Sequence, residues 1–326
     1  MTLKISWMSN TPTFAAQAAK AELHCHTDAL LDATMLRELG PAALRAELSP
    51  DELEGMCPAT SWDHWITNYG TRVDAVMTRQ LFLATLDRHI RRLRTQNVVY
   101  TDLFVSGWLL LREPEEKSIA VFRAARETIE AAGEGKIRVG LMVGLGRGPR
   151  ERAEKQFARV MALRREGLIC GVAIAADESA CTIESIHDLL DKARETRMGI
   201  EIHAGEQLGP ECVREAIEWG RPDRLGHGLA AFTDETLVEE IIRLGIHVEF
   251  CPTSNAILTP YKDLRNHPLV RARELGLSYS INTDDPAPFT CSMNSEFARL
   301  EWELGFGPAD FDRILRQSLA AGFAGR

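Results

Sequence analysis

Two histidines one residue apart, His24 and His26, lie in the run Glu22-Leu23-His24-Cys25-His26-Thr27-Asp28. On a β-strand, residues i and i+2 point to the same side, so the two imidazoles project together, roughly 6–7 Å apart at ~3.3 Å per residue. So placed, both can lean onto one metal ion. An H-x-H pair says little by itself. Three later segments supply partners for it: His203-Ala204-Gly205-Glu206, Gly226-His227-Gly228 and Thr283-Asp284-Asp285-Pro286. Each follows a short apolar run that reads as a strand.

Three neutral imidazoles and one carboxylate, with room left for a water, make an open catalytic zinc shell. His24, His26, His203 and Asp284 are the expected ligands of one Zn2+. Zinc lowers the pKa of a bound water from about 15.7 to about 7. His227, flanked by glycines, is placed to orient that water and accept its proton. Glu206 lies one short turn beyond His203, positioned to act on substrate rather than metal. A carboxyl that donates a proton there needs a raised pKa, which burial supplies. Asp285 diverges from Asp284 and faces the substrate, where it can read a ring nitrogen.

These segments converge only if a scaffold brings strand ends together. Strands are expected at Ala21–Cys25, Val98–Val105, Ile137–Leu145, Ile169–Ala175, Gly199–His203, Arg224–Gly226, Ile246–Cys251 and Leu277–Asn282. Most are apolar and rich in β-branched residues, as strands buried on both faces should be. Helical patterns fall between them at Arg72–Thr95, Glu115–Ala132, Arg150–Glu166, Ile183–Thr196 and Asp234–Leu244. Eight strand–helix units predict an α/β fold, a (β/α)8 TIM barrel, in which all strand C-termini share one mouth. A doubly wound open sheet is the competing arrangement. No linker divides the chain, so residues 1–326 are expected to form one domain. The longest irregular insertion, residues 40–70, holds Trp62, His64 and Trp65 and is a candidate lid over the mouth.

Composition narrows the class. Hydrophobic residues at 45% support a sizeable core, and 38 Lys plus Arg against 47 Asp plus Glu give a net charge of -9. That balance argues against a nucleic-acid partner and leaves a small nucleotide-like ligand open. The seven cysteines are scattered, with no C-x-x-C pair, and read as reduced thiols. No apolar run is long enough for a membrane span or signal peptide, so a cytoplasmic protein is expected.

In combination, these residues resemble the adenosine deaminase family of the metal-dependent amidohydrolases. The matching blocks are Glu22–Asp28, His203–Glu206, Arg224–Gly228, Cys251–Asn255, His267–Leu269, Asn282–Pro286 and Arg316–Phe323. The resemblance implies a zinc-bearing barrel that replaces the exocyclic amine of an aminopurine by hydroxyl and releases ammonia. It implies that Glu206 protonates the ring nitrogen, that His227 handles the water proton, and that Asp285 contacts the imidazole-ring nitrogen. Asp28 matches the position that contacts the sugar hydroxyl in nucleoside deaminases, which tilts the expectation toward an adenosine-like nucleoside. The alternatives are a free base or another aminated heterocycle: adenine, N6-substituted adenine, guanine or a pterin.

The chain departs from the family pattern at several places. Ala29 follows Asp28 where glycine is usual, and Asp102-Leu103-Phe104 stands where the second strand usually carries Glu and Arg. Ala173 replaces an aspartate, and Ala176 occupies the place of a glycine whose N–H contacts the purine. A dinuclear amidohydrolase usually needs a carboxylated lysine on the fourth strand, and no Lys occurs from Leu168 to Glu178. The cytidine-deaminase pattern is also missing. Gly144–Pro149 resembles a phosphate loop only loosely. A non-catalytic zinc-barrel binding protein is the rival from a different class. All four ligands, Glu206 and His227 being present argues against it.

Overall fold

In the computed structural model, which describes residues 14–39, 48–106 and 114–325, eight parallel strands pair in sequence order. They are β1 Lys20–Glu22, β2 Val98–Val105, β3 Arg138–Gly146, β4 Gly171–Ala175, β5 Gly199–Ala204, β6 Arg224–His227, β7 His247–Phe250 and β8 Tyr279–Ile281. Nearly every strand residue is buried, because helices cover the outer face and the barrel interior fills the other. Among the described residues, helices connect successive strands, including Arg79–Thr95, Glu115–Gly133, Arg150–Arg165, His187–Glu195 and Glu235–Leu244. The last and first strands meet just beyond their ends. There the Asp284 N–H donates to His24 O (3.0 Å), and the His26 N–H donates to Asp284 O (2.9 Å). The expected (β/α)8 barrel is therefore the observed fold.

Several expected elements differ in their bounds, and two of the differences have a clear local cause. The helix expected across Arg72–Thr95 is two helices, Thr71–Val76 and Arg79–Thr95. Thr78 between them is extended, and its hydroxyl accepts the Leu81 N–H, a cap that starts a new helix although apolar periodicity runs on. The first strand stops at Glu22, so His24 and His26 lie past its end. Isolated parallel bridges, Cys25 with Asp284 and His26 with Phe104, hold them in line.

The lower end of the barrel is plugged by Phe323. A Cβ on Gly199 would come within 2.3 Å of that ring, so only glycine lets the tail seat there. The guanidinium of Arg224 lies 3.6 Å from the ring centroid and pairs with Asp102 at 2.6 Å. Asp102 also accepts the Phe323 N–H and the Tyr100 hydroxyl. Ala173, where the family pattern has an aspartate, packs into the apolar barrel interior with Phe104, Met142 and Cys170.

Of the insertion expected at 40–70, residues 40–47 lie outside the described residues. The remainder forms a Ser49-capped helix, Pro50–Gly55, and a helical turn, Trp62–His64, that continues as a π-helix, Trp65–Gly70. No helix among the described residues is long and apolar enough to cross a membrane.

Candidate active site

The ends of β1, β5, β6 and β8 bring together the residues that the sequence pattern singled out. One ligand atom from each of His24, His26, His203 and Asp284 lies within 4.8 Å of the others. His26 Nε2 is 3.2 Å from Asp284 Oδ1 and 3.3 Å from His203 Nε2, and His24 Nε2 is 3.3 Å from Asp284 Oδ1. Behind this cluster stand two buried carboxylates. Glu249 Oε2 is 2.9 Å from His24 Nδ1, and Glu201 Oε1 is 2.9 Å from His203 Nδ1. Glu249 takes the proton side of the His24 imidazole and turns its opposite lone pair toward the centre, whereas Glu201 lies beside His203 without a hydrogen bond to it. Ser254 Oγ donates to Asp284 Oδ2 at 2.7 Å and leaves Oδ1 facing the histidines.

The donor set has an unmet atom. His24 Nε2 is buried with no hydrogen-bond partner. Imidazole nitrogens and a carboxylate crowded together in a buried site are costly unless a cation draws them together. Their chemistry and closeness fit a divalent ion. Gly226 explains why the sixth strand carries glycine there: a Cβ would meet Glu201 Oε1 at 2.3 Å and His24 Cε1 at 3.0 Å.

Above the cluster opens a cavity of about 320 Å3. Glu206, His227, Asp285 and Asp28 reach it from the strand ends, and Phe104 and Trp65 form apolar walls. Phe104 stacks near His26, centroids 4.5 Å apart, so the departure on the second strand builds part of the pocket. Trp62 and Trp65 stack on each other, 5.4 Å apart, at the cavity edge. Ala176 lines the wall with φ at +80°, a backbone state that favours glycine. His227 (φ +61°) and Asp284 (φ +63°) share that left-handed strain, which concentrates at functional sites.

The polar groups of the cavity have defined environments. Glu206 Oε2 lies 3.7 Å from His227 Nε2. Burial, followed by the charges of Asp284 and Glu178, pushes the Glu206 carboxyl well above the usual range. Asp285 is raised for the same first reason, with Asp284 next. His227 is pushed down by burial. Asp28 Oδ2 accepts from Ser106 Oγ at 2.7 Å. Glu206 Oε1, Asp285 Oδ1 and Asp28 Oδ1 are all buried without a hydrogen-bond partner.

Residues beyond those expected from sequence hold these groups in place. Glu178 clamps the loop after β5, accepting the Glu206 N–H (3.0 Å) and the Leu208 N–H (2.8 Å). Arg147 ties Glu178 O to His203 O. Asn255 contacts His227, and His267 contacts Asn255. For Glu201 a signal existed, because it precedes His203 by two residues on the same strand face.

Comparison with known proteins bears on this geometry. Residues 19–326 match the family model described as Adenosine deaminase. The chain belongs to the adenosine deaminase family. It is accordingly a hydrolase acting on carbon–nitrogen bonds of cyclic amidines. An adenine deaminase of Rhizobium etli is 29% identical over 313 residues, covering 93% of this chain and 94% of that protein. The crystal structure of adenine deaminase from Arthrobacter aurescens superposes with a TM-score of 0.83 at 20% identity, covering 94% of each chain. A zinc-bound amidohydrolase from Burkholderia ambifaria superposes with a TM-score of 0.81 at 19% identity, covering 95% of this chain and 87% of that one. Both structures share the barrel fold.

Proposed function

We propose that this protein is a zinc-dependent hydrolytic deaminase that replaces the exocyclic amine of an aminopurine by hydroxyl and releases ammonia. The observation that carries this reading is the set of three buried carboxyl oxygens without partners, on Glu206, Asp285 and Asp28, around a cavity that His26, His203 and Asp284 of the four-residue cluster line. Buried polar atoms are normally bonded within the protein, so a converging set of unmet ones is built for a polar ligand. The relatives named adenine deaminase and the zinc-bound neighbour support the same reading.

A zinc ion held by the four ligands supplies Lewis-acid activation of the attacking water. The chain's own groups do the rest. Glu206, its carboxyl kept protonated by burial, donates to the ring nitrogen beside the carbon that loses its amine. His227 faces the attacking oxygen from the end of β6. Asp285 orients the ring through a nitrogen of its five-membered part. The segment around Trp62 and Trp65 serves as a lid that excludes water within one domain spanning residues 1–326. The seven unpaired cysteines suit a reducing, cytoplasmic setting.

Within the aminopurines, Asp28 favours an adenosine-like nucleoside, because its Oδ1 remains to accept a sugar hydroxyl. The free base is the second reading, favoured by the names of the relatives. An ammonia-release screen of the zinc-loaded protein over adenine, adenosine, AMP, N6-substituted adenines, guanine and pterins decides between them. Asp28→Ala should weaken turnover of adenosine far more than that of adenine. Equal effects on both would remove the sugar contact.

A further inference from the structure

We infer that Asn255 and His267 are positioning residues that lock His227 as a hydrogen-bond donor, its Nε2–H pointing at the reacting centre. The inference rests on the deaminase reading of the pocket for its meaning, though not for its geometry. It follows from the direction of four hydrogen bonds.

The chain starts at a backbone amide, which can only donate. The Leu269 N–H reaches His267 Nδ1 at 3.1 Å, so Nδ1 carries no proton. The proton of that neutral ring is then on Nε2, which lies 3.1 Å from Asn255 Oδ1. A second backbone amide confirms which end of the Asn255 side chain is oxygen, since the Cys251 N–H also donates to it at 3.2 Å. With the oxygen fixed from two sides, the remaining end is the NH2 group, 3.0 Å from His227 Nδ1. An amide NH2 only donates, so His227 Nδ1 must offer its lone pair. The imidazole proton therefore sits on Nε2, the nitrogen 3.7 Å from Glu206 Oε2. His227, Asn255 and His267 are at most 1% exposed, so solvent does not compete for these bonds. Protonating either ring would set an N–H against another N–H.

This polarity is the reverse of a Ser-His-Asp triad, where a carboxylate draws the proton to Nδ1 and leaves Nε2 basic. Here an amide replaces the carboxylate, and the imidazole presents a proton rather than a lone pair. His227 thus stabilises negative charge that builds on the attacking oxygen, as an oxyanion-hole donor does. In this arrangement it does not take the water's proton, unlike the role expected from sequence. Glu206, a carboxylate once it has protonated the ring nitrogen, receives that proton and delivers it to the departing amine.

The test is long-range proton–nitrogen NMR on the zinc-loaded protein labelled with 15N-histidine, with His227 assigned by the signals lost in His227→Gln. The expected spectrum has a protonated Nε2 and a bare Nδ1. A bare Nε2 overturns the inference. Because this readout needs no substrate, it stands apart from whether the pocket deaminates purines. Asn255→Asp supplies the kinetic arm. Its carboxylate still accepts from His267 and Cys251 but pulls the His227 proton to Nδ1. The expected result is a kcat loss of roughly 100-fold or more on adenine or adenosine, with KM and zinc content little changed and the two ring signals exchanged. Retained kcat in Asn255→Asp would mean that His227 acts as a base. His267→Gln, which can still donate to Asn255, should recover most of the activity that His267→Ala loses. Should Asn255→Asp fail to fold, the wild-type spectrum decides alone.

Discussion

Glu249 touches no substrate, yet its replacement by glutamine should weaken the metal site. The side chain is fully buried; Oε2 lies 2.9 Å from His24 Nδ1 in a hydrogen bond, and Oε1 lies 2.6 Å from Arg224 Nε as an ion pair. Glutamine keeps the shape but has one acceptor and one donor. Its oxygen should go to the guanidinium, which cannot lose its proton, leaving the NH2 group against His24 Nδ1. To accept that bond, His24 must move its proton to Nε2, the nitrogen aimed at the cluster. A protonated Nε2 cannot bind metal. Losses of such supporting groups typically cost 10–100-fold in metal affinity, about 1.4–2.7 kcal/mol. Arg224 keeps Asp102 at 2.6 Å, so the fold should lose only about 1–3 kcal/mol, less than a fully orphaned buried charge costs. Competition of Glu249→Gln and wild type against a chromogenic zinc chelator measures the affinity, and urea unfolding of the metal-free proteins measures the fold. Unchanged zinc affinity in a folded variant would refute the tautomer argument.

Two further predictions concern the framework. Ala176→Gly should stabilise the protein by about 0.5–1 kcal/mol, because relief of the left-handed strain at φ +80° exceeds the extra freedom of the unfolded chain; urea unfolding should show a higher midpoint, and a lower one would contradict this. His247 is held down to about 3 by burial and then by Arg224, so between about pH 3 and 6.5 the unfolded chain binds one more proton there than the folded one does. This site's contribution is thus fully present above about pH 6.5 and is lost on acidification, at about 1.4 kcal/mol per pH unit. His247→Asn should flatten the acid limb of stability against pH by that slope, and parallel curves would exclude it.

The barrel and the metal cluster were legible because both leave signatures in residue type. Strands buried on two faces read as apolar runs, and histidines and aspartates at their ends have no packing reason to recur. The supporting groups were harder to see. Glu249 is one acid inside an apolar strand, and Arg224 is one base at the start of another; only the closed barrel pairs them with each other and with Asp102. The break at Thr78 was hidden because a hydroxyl cap does not interrupt hydrophobic periodicity. Ala176 and Phe104, read as departures from the family pattern, are parts of the cavity wall. The state of His227 depends on amide direction in Asn255, which no residue pattern encodes.

The central claim is hydrolytic deamination at this cluster, with Glu206 as proton donor. Its most direct test follows ammonia and hydroxylated purine together for zinc-loaded wild type and Glu206→Gln, with zinc content measured on both. The account predicts equimolar ammonia and hydroxypurine from at least one aminopurine, full zinc in both proteins, and a loss of roughly 100-fold or more in Glu206→Gln. A zinc-loaded wild type that releases no ammonia from any aminopurine would contradict it, as would undiminished turnover by Glu206→Gln.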